Sequence, residues 1–212
     1  MVKNTADNAY NNINLYERIF DMNICIYGAS SKVISDEYIK QVEDLGYLLA
    51  KRGHNLIFGG GASGLMGAAA RGFSKADGNI TGIAPRFFDV DGILYDKCTR
   101  FIYTDTMRER KKILEDESDC FIVTPGGVGT YDEFFEIVTL KQLGRHSKPI
   151  VIFNVCGYFD ELQKLMEKAL SEKMLTEKSL SLYMITDDME EVISYLENYN
   201  EQAYNIKETK FI

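Results

Sequence analysis

The segment Asp119–Gly144 reads DCFIVTPGGVGTYDEFFEIVTLKQLG. It opens with a short, unbroken apolar run, turns through Gly126, Gly127 and Gly129, and continues as a helix-like pattern. A strand that is apolar throughout, rather than at alternate positions, suits a parallel sheet covered on both faces. Glycines at its end let backbone N–H groups converge on one point and let a ligand approach closely. A helix starting there adds unsatisfied N–H donors and the positive end of its dipole. The unit therefore reads as strand, anion cradle and helix. Yet three acids, Asp132, Glu133 and Glu136, follow the cradle directly, and the chemistry must explain both.

Outward from this unit the same alternation repeats. NICIYG, HNLIFGGG, NITGIAP (stopped by Pro85), RFIYT, KPIVIFN and LYMITDD read as further strands. SDEYIKQVEDLGYLLAKRG, SGLMGAAARGFSKADG, TMRERKKILEDES, YFDELQKLMEKALSEKM and MEEVISYLENY read as helices, the first capped by Ser35 or Asp36. RFFDVDGILYDKC reads as a loop. Strands alternating with helices predict an α/β fold: a doubly wound, mostly parallel, Rossmann-like sheet with right-handed crossovers in a single domain. No repeat or linker divides the chain. The domain is expected over residues 22–200, with a peripheral N-terminal extension (1–21) and a peripheral C-terminal tail (201–212).

The chain has 212 residues, 45% apolar and 26% charged, which is enough for one domain with a substantial core. Its net charge of -8 disfavours nucleic acid and anionic membranes as partners, though a local cationic pocket stays open. No run approaches the roughly 18 apolar residues of a membrane span, and the first twenty residues lack a signal-peptide pattern. Cys25, Cys98, Cys120 and Cys156 are widely spaced, three of them in strand-like runs, and read as buried reduced thiols in a cytoplasmic protein. His54 and His146, the two histidines, have no partners at metal-ligand spacing, so no metal site is expected.

Three strand ends carry glycine or turn chemistry: YGASS at Tyr27–Ser31, FGGGASGLMG at Phe58–Gly67 and PGGVGT at Pro125–Thr130. One such turn is often no more than a tight connection. Three in one domain point to a nucleotide or anion site, and mark Ser30, Gly60, Gly61, Gly126, Gly127 and Gly129 as candidate ligand contacts. No Gly-Lys-Ser/Thr follows, so this is not a P-loop, and the spacings fit a dinucleotide fingerprint poorly. Thr130 and Glu133 have the spacing of a capping box, repeated at Thr106 and Glu109, so a helix cap is one account of Glu133. In MRERK, Arg110 shares a helical stripe with Met107 and Leu114, and could either meet an anion bidentately or belong to a surface basic cluster.

FGGGASGLMG, MRERK, PGGVGTYDE and QLGRHSKPIVIFNVCGYFDEL, in this order, resemble the Lonely Guy family over roughly residues 23–175. Its members are cytokinin riboside 5'-monophosphate phosphoribohydrolases, often misnamed lysine decarboxylases. The resemblance implies a Rossmann-like homodimer that needs no cofactor. It implies hydrolysis of the N-glycosidic bond of a purine nucleoside 5'-monophosphate to free base and ribose 5-phosphate. By motif, Arg110 and Glu133 become the catalytic pair. Lys111, Gly127, Val128, Gly129, Thr130, Tyr131, Asp132 and Thr139 line the substrate pocket, joined by Met107. Leu140, Arg145 and Val128 depart from common family residues, and Asp89 or Asp91 is the nearest replacement for an acid that many members place after Pro85. Lysine decarboxylation normally uses pyridoxal phosphate on a lysine, and nothing in the sequence marks such a lysine.

The resemblance also explains the acids. Glycosidic cleavage builds positive charge on the ribose. Glu133 would stabilise it, the glycine amides would hold the phosphate, and Arg110 would anchor phosphate or ribose and keep Glu133 ionised. The rival reading is a non-catalytic carrier of a phosphorylated ligand, like the molybdenum cofactor carriers, which needs the cradle but not the Arg110–Glu133 pair.

Overall fold

A computed structural model describes residues 21–210. Seven strands form one parallel sheet: β1 (Asn23–Tyr27), β2 (Asn55–Phe58), β3 (Ile80–Pro85), β4 (Arg100–Thr104), β5 (Cys120–Val123), β6 (Ile150–Phe153) and β7 (Met184–Thr186). The helices are α1 (Asp36–Lys51), α2 (Gly64–Lys75), α3 (Met107–Asp116), α4 (Val128–Gln142), α5 (Asp160–Ser171), α6 (Glu177–Leu180), α7 (Met189–Glu197) and α8 (Ile206–Thr209).

Strand order is β4-β3-β2-β1-β5-β6-β7. The chain winds outward from β1 to β4, then returns to place β5 on the other side of β1. The two register with Tyr27 beside Val123. Loops after these strands leave in opposite directions, which opens a crevice at their carboxyl ends.

Strand side chains alternate between the two faces. Ile24, Ile26, Leu56, Phe58, Cys120 and Ile122 pack with α1, α2 and α7. Cys25, Tyr27, Ile57, Phe121 and Val123 pack with α3, α4 and α5. Both faces are covered, which is why the strands read as unbroken apolar runs.

Two expectations change. The thiols are not uniformly buried: Cys25 and Cys120 are, Cys98 is half-buried, and Cys156 is exposed in a short turn after β6. The segment after residue 200 is anchored to the domain at Tyr204 and Thr209, while most of its other residues up to Lys210 are exposed. Tyr204 is buried and donates to the Ser181 carbonyl at 3.1 Å, and the Thr209 hydroxyl donates to the Gln142 carbonyl at 2.9 Å. Residues 211–212, like all of the expected N-terminal extension except Asp21, lie outside the described residues.

Candidate active site

The start of α4 differs from the capping-box expectation. Its N-cap is Gly127, which has no side chain, and Thr130 sits inside the first turn. The first backbone bond of this turn runs from the Tyr131 amide to the Gly127 carbonyl at 3.1 Å. The amides of Val128, Gly129 and Thr130 precede it and need an acceptor from elsewhere. Helix α3 is the contrast. Its Thr106–Glu109 box forms, with the Glu109 amide donating to Thr106 Oγ1 at 3.2 Å and the Thr106 amide to Glu109 Oε2 at 3.3 Å. One helix closes its own amino end; the other leaves it open at the crevice.

Glycine at 127 and 129 is not a demand of the backbone. The φ of Gly127 is -96°, and a Cβ placed at either residue would meet no protein atom within 4 Å. The space that a side chain would fill is space for a ligand. Gly126 differs: a Cβ there would lie 2.0 Å from Thr130 Oγ1, so it serves the tightness of the turn. Tyr158 holds that turn by donating to the Gly126 carbonyl at 2.7 Å.

Beside the open amides lies a buried ion pair. Arg110 Nη1 donates to Glu133 Oε1 at 2.7 Å, and Arg110 Nε to the Ile83 carbonyl at 3.2 Å. Only 5% of Arg110 and 8% of Glu133 is exposed, so neither belongs to a surface cluster. Gly59 makes room for the guanidinium, because a Cβ there would lie 2.0 Å from Arg110 Nη2. Burial pushes the Glu133 carboxyl up, Arg110 pulls it down, and the net direction is upward. The pair uses one carboxylate oxygen and leaves Oε2 for another partner.

The amides and the pair share a cavity of about 600 Å³ at the β1–β5 switch, within the size range of small-molecule sites. Of the sequence-derived candidates, Ser30, Gly61, Met107, Arg110, Gly127, Val128, Gly129, Thr130, Asp132 and Glu133 line it. Five others stand elsewhere. Lys111 bridges α3 to α4 through Asp132 at 3.0 Å and Glu136 at 2.8 Å, and these partners raise its pKa. Tyr131 packs edge-on to Phe159 behind the loop. Gly60, at φ 77°, packs against Phe101. Gly126 is in the turn, and Thr139 is exposed farther along α4.

Sequence reasoning missed the far wall. Phe88, Ile93 and Leu94 line the cavity, because their loop is stitched to the second glycine loop. The Ala62 amide donates to the Ile93 carbonyl at 2.9 Å, and the Tyr95 amide to the Gly60 carbonyl at 2.8 Å. Asp89 and Asp91 line a separate cavity behind this loop, so the face turned to the main cavity is apolar. Lys32, in the loop after β1, was missed as well.

A family described as "possible lysine decarboxylase" matches residues 66–196. A cytokinin riboside 5'-monophosphate phosphoribohydrolase of Mycobacterium tuberculosis is 34% identical over 173 residues, which cover 82% of this chain and 92% of the relative. The chain belongs to the Lonely Guy family. An Arabidopsis thaliana enzyme of the same name is 33% identical, over 83% of this chain and 77% of the relative. A molybdenum cofactor binding protein from Rippkaea orientalis superposes with a TM-score of 0.64, at 23% identity, over 84% of this chain and 96% of its own; this likeness concerns the fold. The Lonely Guy names and the "lysine decarboxylase" description differ in chemistry. The buried lysine among the described residues, Lys141, lies outside the cavity lining, and the lysine within the lining, Lys32, is exposed.

Proposed function

We propose that this chain is a hydrolase that cleaves the N-glycosidic bond of a purine nucleoside 5'-monophosphate, AMP-like or cytokinin-type, giving free base and ribose 5-phosphate. The observation that carries the reading is the juxtaposition of uncapped α4 amides with a buried, Arg110-paired Glu133 in one cavity. The family relatives named for this reaction support it.

The reaction follows from the two ends of the cavity. The amides of Val128, Gly129 and Thr130, with the positive end of α4, hold the 5'-phosphate. That remote binding energy fixes the sugar. The bond from C1' to the base nitrogen breaks, the electron pair leaves with the base, and C1' becomes oxocarbenium-like. The free oxygen of Glu133 faces that charge in a site that water screens poorly, where a fixed carboxylate acts most strongly. Water then adds to C1', and its proton passes through Glu133 to the departing base. Arg110 holds the carboxylate in place and favours its ionised form. The apolar wall of Phe88, Ile93 and Leu94 receives the base.

Exposed Met107, Val128 and Phe135 on neighbouring helices α3 and α4 support a homodimer joined beside the cavity. Among the described residues no helix is long and apolar enough to cross a membrane, and the net charge of -8 opposes nucleic acid. We take the working location to be cytoplasmic. A carrier would need the amides but not a buried acid aimed into the cavity. The test is incubation with AMP, GMP and isopentenyladenosine 5'-monophosphate, followed by chromatography for free base. Release of base from at least one is expected. No release from any, with tight retention of a phosphorylated ligand, would replace the enzyme by a carrier.

A further inference from the structure

We infer that Lys32 is the residue through which this chain recognises the charge of the 5'-phosphate, and so sets its preference for nucleotides over nucleosides. The inference rests on the nucleotide reading above and names a specificity residue within that site.

The charge balance of the cavity leads to it. Four ionisable side chains line the cavity: Lys32, Arg110, Asp132 and Glu133. Arg110 is committed to Glu133 at 2.7 Å, and Asp132 to Lys111 at 3.0 Å. Arg110 cannot turn to a phosphate without stranding a buried carboxylate, which is costly. Lys32 is the one of the four that makes no ion pair among the described residues. Without it the lining carries one positive and two negative side chains, and a phosphate dianion would enter a net negative wall. The α4 amides supply directional hydrogen bonds and partial charge, but Lys32 supplies the whole unit of charge.

Its position is built. The Ala29 amide donates to the Pro125 carbonyl at 3.0 Å, and the Leu65 amide donates to the Ala29 carbonyl at 2.8 Å. The loop after β1 is thereby wedged between the Pro125–Gly127 turn and the head of α2. Three residues past Ala29, Lys32 lines the same cavity as Ser30 and the open amides of α4. A lysine ammonium is a compact, strongly hydrated point charge on a flexible stem. From an exposed mouth position it can reach an incoming phosphate and draw it in, an effect that weakens with salt.

The experiment compares wild type with Lys32→Ala and Lys32→Arg. Turnover of a nucleoside 5'-monophosphate is measured together with calorimetric binding of ribose 5-phosphate and of inorganic phosphate, at low and high salt. Lys32→Ala is expected to raise KM and weaken ribose 5-phosphate binding roughly tenfold to a hundredfold. The value of kcat should stay within about threefold, the mark of lost uniform binding. Affinity for the unphosphorylated nucleoside should not move, the salt dependence should flatten, and Lys32→Arg should restore most of the loss. Unchanged KM and unchanged ribose 5-phosphate affinity in Lys32→Ala would overturn the inference. Equal weakening of nucleoside and nucleotide would overturn it too, since that reports loop damage. If wild type binds ribose 5-phosphate but cleaves no nucleotide, and Lys32→Ala abolishes the binding, the hydrolase reading fails while the role of Lys32 stands. If wild type binds neither phosphate probe, the inference falls.

Discussion

At the residue scale, Glu133 is held between two opposing effects. Burial favours its neutral form, Arg110 at 2.7 Å favours the carboxylate, and burial prevails, so its pKa lies above the ordinary 4.5. The acid that stabilises a cationic sugar must be ionised, so activity appears only as pH rises through the raised value. The acid limb of kcat/KM is expected to lie above 4.5, and Arg110→Met should move it farther toward alkaline pH. A limb at or below the ordinary glutamate value would separate activity from Glu133. The same shift acts on stability with a definite sign. The folded carboxyl keeps a proton that the unfolded chain releases, so its contribution is full below 4.5 and is lost as pH rises through the folded pKa. The identity of this pair was legible through motif, but its burial was not. Arg110 becomes inaccessible because Gly59, just after β2, and the Ile83 carbonyl of β3, both distant from it in sequence, close around its guanidinium.

At the scale of single elements, the deciding contrast is between two helix starts. Spacing read both as capping boxes, and α3 forms one while α4 does not. The glycine turn already provides Gly127 as N-cap, three residues before Thr130, so Thr130 and Glu133 both lie inside the helix instead of capping it. A glycine N-cap carries no side-chain signal, which is why the boundary was not readable. The open terminus predicts a separation of stability from binding. Gly129→Ala places a methyl group in space that no protein atom occupies within 4 Å, inside a helix that favours alanine over glycine by up to about 1 kcal/mol. Thermal stability should hold or rise slightly, while KM for the nucleotide and the Kd of ribose 5-phosphate increase roughly tenfold or more. A drop in stability with unchanged ribose 5-phosphate binding would assign Gly129 to the fold.

At the scale of the whole molecule, the strand order brings the turns after β1 and β5 together at the β1–β5 switch, with the glycine loop after the neighbouring β2 beside them. The seven strands and the α/β class were legible because unbroken apolar runs of this length, separated by amphipathic stretches, fit few other arrangements. The C-terminal packing was not, because a short polar tail acquires its role only from what it covers. Here it covers Lys141, fully buried on α4, which donates to the Tyr199 hydroxyl at 3.0 Å and lies 5.4 Å from the centre of the Tyr204 ring. Burial pushes its ammonium down from 10.5 to about 8. Between those values the unfolded chain binds a proton that the folded chain does not, so stability from this group rises with pH. Urea denaturation should show that rise between about 8 and 10.5 in wild type, and Lys141→Met should remove it. The same rise in both proteins would place its origin elsewhere.

The central claim is that a buried, arginine-paired acid beside an open helix terminus cleaves a glycosidic bond. Its most direct test is Glu133→Gln, assayed for free base and ribose 5-phosphate from a nucleotide that wild type hydrolyses, with ribose 5-phosphate binding measured on the same preparation. The account predicts kcat reduced by roughly a thousandfold or more, with the phosphate end still bound. Near-normal turnover in Glu133→Gln would contradict it, leaving Glu133 as a structural partner of Arg110.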